Sequence, residues 1–236
     1  RRLAGFGYPV EVDGPRVCLE GGGRLQGREI DVPADLSSAA FFLVGASIAE
    51  GSDLLLAHVG VNPTRAGVIE ILRRMGADIE ILNPRRAGGE PLADLRVRSA
   101  PLHGIRIPPE LVPPAIDEFP ALFVAAACAA GETVLTGAAE LRVKESDRIQ
   151  GMVDGLQALG VEAWPTADGV VIRGGALRGG AVDGHGDHRI AMAFAIAGLH
   201  ARAPVTVVDT RNVETSFPGF VPAATGVGLR IEAIGD

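Results

Sequence analysis

Lysine is almost missing from this 236-residue chain: of its 22 basic residues, 21 are arginine and one is lysine, Lys144. A genomic bias toward arginine codons explains the general preference. The exception invites a chemical explanation, because an ammonium can sit or transfer a proton where a guanidinium cannot. Cysteine is scarce as well. Cys18 and Cys128 form no C-x-x-C pair and sit in apolar surroundings, so they read as buried free thiols in a reducing compartment. His58, His103, His185 and His200 show no metal-ligand spacing with each other or with cysteine, and no metal or other cofactor is expected. Long apolar runs are lacking too. The most apolar windows, such as residues 122–130, fall short of the roughly 20 residues a membrane helix needs. Arg1-Arg2 is not followed by an apolar stretch, since Pro9, Glu11 and Asp13 interrupt it, so no signal peptide is read. There is no excess of positive charge: the formal net charge is −7, which argues against a nucleic-acid partner held by bulk electrostatics. The expected location is cytoplasmic.

What is present is a core-forming composition with heavy punctuation. The apolar fraction is 47% and the aromatic fraction only 4%, so Ala, Val, Leu and Ile must supply most of the core. The 32 glycines and 16 prolines are scattered singly, as in a turn-rich fold. They mark a repeat. The first copy reads as a strand (28–32), Asp35, a helix (37–50), Gly51 and a strand (53–59). The second reads as a strand (104–107), Asp117, a helix (119–130), Gly131 and a strand (132–136). The third reads as a strand (180–183), Asp187, a helix (188–201) and a strand (204–209). A second helix follows each time, at 65–75, 145–159 and 218–227, ending at Gly76, Gly160 and Gly228 as C′ glycines do. Strands at 77–81, 161–164 and 229–233 come next, and the first two copies add another at 95–98 and 170–173. The sequence therefore predicts an α/β fold of three βαβαββ units. Residues 2–12 and 16–20 resemble the tail of an earlier copy, and the third copy stops one strand short. The chain is accordingly expected to be a piece of a longer protein.

Three charged clusters stand at helix starts. In Lys144-Glu145-Ser146-Asp147-Arg148, Glu145 and Arg148 are either i,i+3 neighbours paired on a solvated face or parts of an anion site, which helix N-termini favour. In Gly186-Asp187-His188-Arg189, Asp187 reads as a cap. Arginine is unfavourable at that end of the helix dipole, and a bound anion held by its planar fork would justify it. In Ile116-Asp117-Glu118-Phe119-Pro120, Asp117 is either an N-cap or a partly desolvated general base, and the sequence leaves both open. Asp35 with Ser37 and Ser38 lacks a basic neighbour and reads as structural. Thr215 and Ser216 either cap the last short helix or line a site. Gly21-Gly22-Gly23 does not lead from a strand into a helix and fails as a phosphate loop.

These three motifs, with Asp35-Leu36-Ser37-Ser38-Ala39-Ala40 and Thr215-Ser216-Phe217-Pro218-Gly219-Phe220, resemble in type and order those of the 5-enolpyruvylshikimate-3-phosphate synthases, across essentially the whole chain. The resemblance implies the enolpyruvyl transferase fold, an inside-out α/β domain of three βαβαββ units. Residues 1–29 would be the tail of an N-terminal domain and 30–236 the C-terminal domain. It also implies transfer of the enolpyruvyl group from phosphoenolpyruvate to the 5-hydroxyl of shikimate 3-phosphate, a step of the shikimate pathway toward aromatic amino acids, with loss of phosphate. By the same resemblance Asp117 is the base, Glu145 protonates the methylene carbon and Lys144 contacts shikimate 3-phosphate. Arg148 and Arg189 grip phosphoenolpyruvate, and His188 lines the pocket. Thr215 stands where well-known members carry a lysine. The family's missing N-terminal domain holds much of the shikimate 3-phosphate site, so the chain alone is expected to be inactive. UDP-N-acetylglucosamine enolpyruvyl transferases share fold and donor and form the alternative; a folded, inactive half-domain is another. RNA 3′-phosphate cyclases share the repeat, but no nucleotidylated-histidine context is found.

Overall fold

A computed structural model describes residues 2–235, the Arg2 side chain excepted; the expectations that touch Arg1 and Asp236 fall outside the described residues at those two positions. The chain opens with a short helix, α1 (Arg2–Gly5), and an antiparallel ribbon of β1 (Glu11–Asp13) and β2 (Arg16–Cys18) that turns at Gly14, φ +53°. The first repeat follows as α2 (Leu36–Ile48), β3 (Asp53–Gly60), α3 (Gly67–Arg74), β4 (Asp78–Ala87) and β5 (Glu90–Arg98). The second comprises two 3₁₀ turns, Pro109–Leu111 and Pro113–Glu118, then α4 (Phe119–Cys128), β6 (Glu132–Leu135) and a third 3₁₀ turn, Ala139–Val143. It closes with α5 (Arg148–Ala158), β7 (Glu162–Thr166) and β8 (Gly169–Arg173). The third holds β9 (Gly180–Asp183), α6 (His188–Ala197), β10 (Val205–Val208), α7 (Asn212–Ser216) and α8 (Phe220–Gly226).

The first helix of each unit is apolar on nearly every side, and such a helix is stable only when surrounded. Accordingly α2, α4 and α6 pack against one another at the centre, and every residue of α2 but Ser38 is buried. The sheets lie outside them. β5 sits between β3 and β4, and β8 between β6 and β7, all antiparallel, while β9 and β10 pair in parallel. The repeat extends to single residues. Arg98 on β5 lies opposite both Asp53 and Asp78, and Arg173 on β8 lies opposite both Glu132 and Glu162. These exposed ion pairs add little stability each. They register the same carboxylate–arginine–carboxylate row in two copies.

Some elements depart from expectation. The strands read at 28–32 and 104–107 shrink to isolated parallel bridges, Ala34 with Val59, and His103 and Arg106 with Ala130 and Val134. Pro33 in one case, and Pro101 with Pro108 and Pro109 in the other, remove the ladder donors that a longer strand would need. Residues 229–233 form no strand, because the third unit has no described counterpart of β5 or β8 to pair with. The helix read from Glu145 starts later, at Arg148, because Asp147 caps it by accepting from the Gln150 N–H at 3.0 Å. The cysteines are only half-buried, and Cys18 rides on the exposed β1–β2 ribbon. At Cys128 burial pushes the thiol pKa up to about 12, so it stays protonated and inert.

Candidate active site

Asp117 is not a cap. The 3₁₀ turn Pro113–Glu118 runs directly into α4, whose N-cap position, Glu118, makes no side-chain capping bond. The Asp117 carboxylate is thereby free to face the cations of other elements. Its Oδ1 lies 3.4 Å from Lys144 Nζ and 3.6 Å from Arg148 Nη1, and its Oδ2 lies 3.6 Å from Arg65 Nη2. Arg189 Nη1 donates to the Asp117 backbone carbonyl at 2.9 Å. Burial alone would raise the Asp117 pKa, but the Arg189, Lys144 and Arg148 charges outweigh it and hold the carboxyl below the ordinary aspartate range. It is ionised at neutral pH and able to accept a proton.

The cations are each fixed by a local cause. Lys144 and Glu145 stand in the loop between the 3₁₀ turn 139–143 and α5. Lys144 bonds Glu140, which, ahead of the nearby Asp117 charge, raises its pKa and keeps it an ammonium. Arg148, at the first position of α5, is 1% exposed, and its Nε donates to Asp187 Oδ2 at 2.8 Å while Nη2 bonds Glu145. Asp187 is itself 0% exposed, accepts from Ser146 Oγ at 3.0 Å and caps α6 through the Arg189 N–H at 2.9 Å. So the arginine at the start of α5 has an internal anion. The i,i+3 contact with Glu145 exists, but Arg148 is buried, so the pair does not lie on a solvated face. Burial would raise the Asp187 pKa, but the Arg148 hydrogen bond and charge lower it. His188, the first residue of α6, has its pKa lowered by burial and then by Arg189, so its imidazole is neutral at pH 7.

Asp117, Lys144, Glu145, Arg148, His188 and Arg189 are thus one group, drawn from the second and third repeats. Thr215 is not tied into it: it is exposed on α7, and its side chain makes no hydrogen bond among the described residues. Asp35 is structural, accepting from the Ser38 N–H at 2.8 Å and Ser38 Oγ at 3.1 Å. Sequence reading missed Arg65, Ser37 and Glu118. Arg65 just before α3 occupies a place in the first repeat close to that of Arg148 at α5, and superposing the repeats would have singled it out.

The chain matches the family model described as EPSP synthase (3-phosphoshikimate 1-carboxyvinyltransferase) over residues 1–223. It is 68% identical over 232 residues to the 3-phosphoshikimate 1-carboxyvinyltransferase of Methylococcus capsulatus, covering 98% of this chain and 53% of that one. Against the enzyme of the same name from Nitrosococcus oceani it is 66% identical, covering 98% and 52%. The solved EPSP synthase of Acinetobacter baumannii superposes with a TM-score of 0.95 at 55% identity, covering 98% of this chain and 54% of that one. The chain spans about half the length of the curated relatives it matches. With the site's motifs, the match over residues 1–223 establishes that this chain belongs to the EPSP synthase family.

Proposed function

We propose that this chain supplies one wall of an active site that transfers the enolpyruvyl group of phosphoenolpyruvate to the 5-hydroxyl of shikimate 3-phosphate. The observation that carries the reading is the ionised Asp117 carboxylate ringed by Arg65, Lys144 and Arg148, with Arg189 on its own carbonyl. Asp117 takes the hydroxyl proton as the oxygen bonds to C2 of phosphoenolpyruvate, and Glu145 delivers a proton to C3. The tetrahedral adduct then returns a proton from C3 to the Glu145 carboxylate and expels phosphate. One base, one acid and screened anions are all this sequence asks of the protein. Lys144 contacts shikimate 3-phosphate. Arg189, 16% exposed, offers its fork to the donor, while the buried Arg148, 3.6 Å from the Asp117 carboxylate, adds positive charge to the same side. His188 lines the donor side.

The remainder of the shikimate 3-phosphate site would come from a second domain, of which residues 1–29 are the tail. Leu3, Val12, Val17, Leu19 and Leu25 support this, since all are exposed apolar side chains in or beside the β1–β2 ribbon. A cytoplasmic location fits the unpaired Cys18 and Cys128 thiols. Among the described residues no helix is long and apolar enough to cross a membrane.

Arg189→Lys in the full-length protein tests the donor clamp. It keeps the charge and loses the fork, so the KM for phosphoenolpyruvate should rise at least about tenfold, roughly 1.4 kcal/mol. Affinity for shikimate 3-phosphate alone should hardly move. Equal weakening of both substrates would point to a disturbed fold, and an unchanged KM would remove Arg189 from the clamp.

A further inference from the structure

Beside Asp117 lies a second carboxylate that the chemistry above does not use. Glu118 is 3% exposed, and its Oε1 accepts from the Ser37 hydroxyl at 2.5 Å. The same oxygen is 3.7 Å from Arg189 Nη1 and 3.9 Å from Arg65 Nη2, and Arg65 also donates to Ser37 Oγ at 3.0 Å. Four side chains from all three repeats meet there: Ser37 and Arg65 from the first, Glu118 from the second and Arg189 from the third. Burying a carboxylate is costly unless something in the fold or the function needs it. Nothing in the packing of α4 does, because Glu118 makes no cap and the helix beyond it is wholly apolar.

We propose that Glu118 is a positioning residue for the Arg189 guanidinium, locked in that role by the Ser37 hydroxyl. Arg189 Nη1 donates to the Asp117 carbonyl and forms an ion pair with the Glu118 carboxylate at 3.7 Å, both partners coming from the same 3₁₀ turn. That pairing fixes where one edge of the fork lies and leaves the rest of the guanidinium for an anion. It also holds Arg189 to Glu118, with no ion pair between Arg189 and the Asp117 carboxylate among the described residues, while Arg65 spans the two carboxylates, 3.6 Å from Asp117 and 3.9 Å from Glu118. Without Glu118, Arg189 would turn to the Asp117 carboxylate and quench the base. The groups facing Glu118 are Ser37, Arg65, Asp117 and Arg189; burial, ahead of the opposing Ser37 bond and arginine charges, raises its pKa. The cost of holding it charged falls on stability, and the benefit falls on the site.

This proposal rests on the donor-binding role given to Arg189, and Glu118→Gln in the full-length protein tests it. Glutamine keeps the shape and an acceptor for Ser37 and removes the charge. The expected result is a fall in kcat/KM for phosphoenolpyruvate of about tenfold or more, the usual scale for a misplaced positioning group. Apparent Tm at neutral pH should stay within about 3 °C, because a charge-burial cost is relieved as the pairing is lost. In an Arg189→Lys background the same change should cost less than about threefold, since its target is already gone. A kcat/KM within twofold of the parent overturns the proposal. So does a loss that adds fully to that of Arg189→Lys, or one that travels with a large drop in Tm, which would mark Glu118 as merely structural. If Glu118→Gln does not fold, Ser37→Ala reads the same device and should give a smaller loss in the same parameter; no loss there overturns it. A full-length parent without enolpyruvyl transfer would instead contradict the function itself.

Discussion

Asp117→Ala in the full-length protein is expected to lower kcat by roughly 10²–10⁴-fold, the usual worth of general acid–base catalysis. The KM for phosphoenolpyruvate should not rise with it. Removing this carboxylate takes an anion from among Arg65, Lys144, Arg148 and Arg189, so the site becomes more positive toward an anionic donor. Steady-state kinetics with both substrates separates the two effects. A fall in kcat of less than threefold would mean that Asp117 only organises the surrounding cations. A large rise in KM with kcat intact would mean that it shapes the pocket without taking a proton.

Asp187→Ala should act on stability instead, costing about 3–5 kcal/mol, because removing one member of a buried pair strands the other. Arg148 would keep only Glu145, which is half exposed, and the more distant Asp117. The Ser146 hydroxyl and the Arg189 N–H would each lose an acceptor. Urea denaturation at neutral pH measures the loss; a change below about 1 kcal/mol would show that water or Glu145 compensates. The pH dependence follows from the lowered Asp187 pKa. The stability from this pair is complete above the ordinary aspartate range, about pH 4, and fades as the pH falls through the lower folded-state value. The parent should therefore lose stability on acidification below about pH 4, and the Asp187→Ala variant should lose less over the same interval.

Much of this arrangement is legible in the residues. The apolar helices after Asp35, Asp117 and Asp187, and the glycines that end the second helices, reveal three copies of one unit, and α2, α4 and α6 do pack as the core. Lys144, Arg148 and Arg189 stand out because cations at helix starts have no local reason to be there, whereas an aspartate such as Asp117 reads equally well as a cap. Pairings between repeats are what a one-dimensional reading misses. Asp187 is a cap by its position, and only the approach of α5 makes it the counter-ion of Arg148. Ser37 reads as a spare polar residue beside a cap, because its partner Glu118 is 81 positions away. The strands at 28–32 and 104–107 follow from the repeat layout, and the prolines beside them remove donors that a full ladder would need. At α5–α6 the sequence shows Gly155 in mid-helix, ordinarily a weak point. There a Cβ would lie 2.2 Å from the buried Phe194 ring, so the glycine permits the close crossing of the two helices that brings Arg148 to Asp187.

The proposed role of this chain is the donor-side wall of an enolpyruvyl-transfer site for shikimate 3-phosphate. Phosphate release by the full-length protein, given phosphoenolpyruvate and either shikimate 3-phosphate or UDP-N-acetylglucosamine, tests it most directly. Stoichiometric phosphate release is expected with shikimate 3-phosphate, none with the UDP-sugar, and near-complete loss of the release on Asp117→Ala. Release with UDP-N-acetylglucosamine instead, or release with shikimate 3-phosphate that survives Asp117→Ala unchanged, would contradict it.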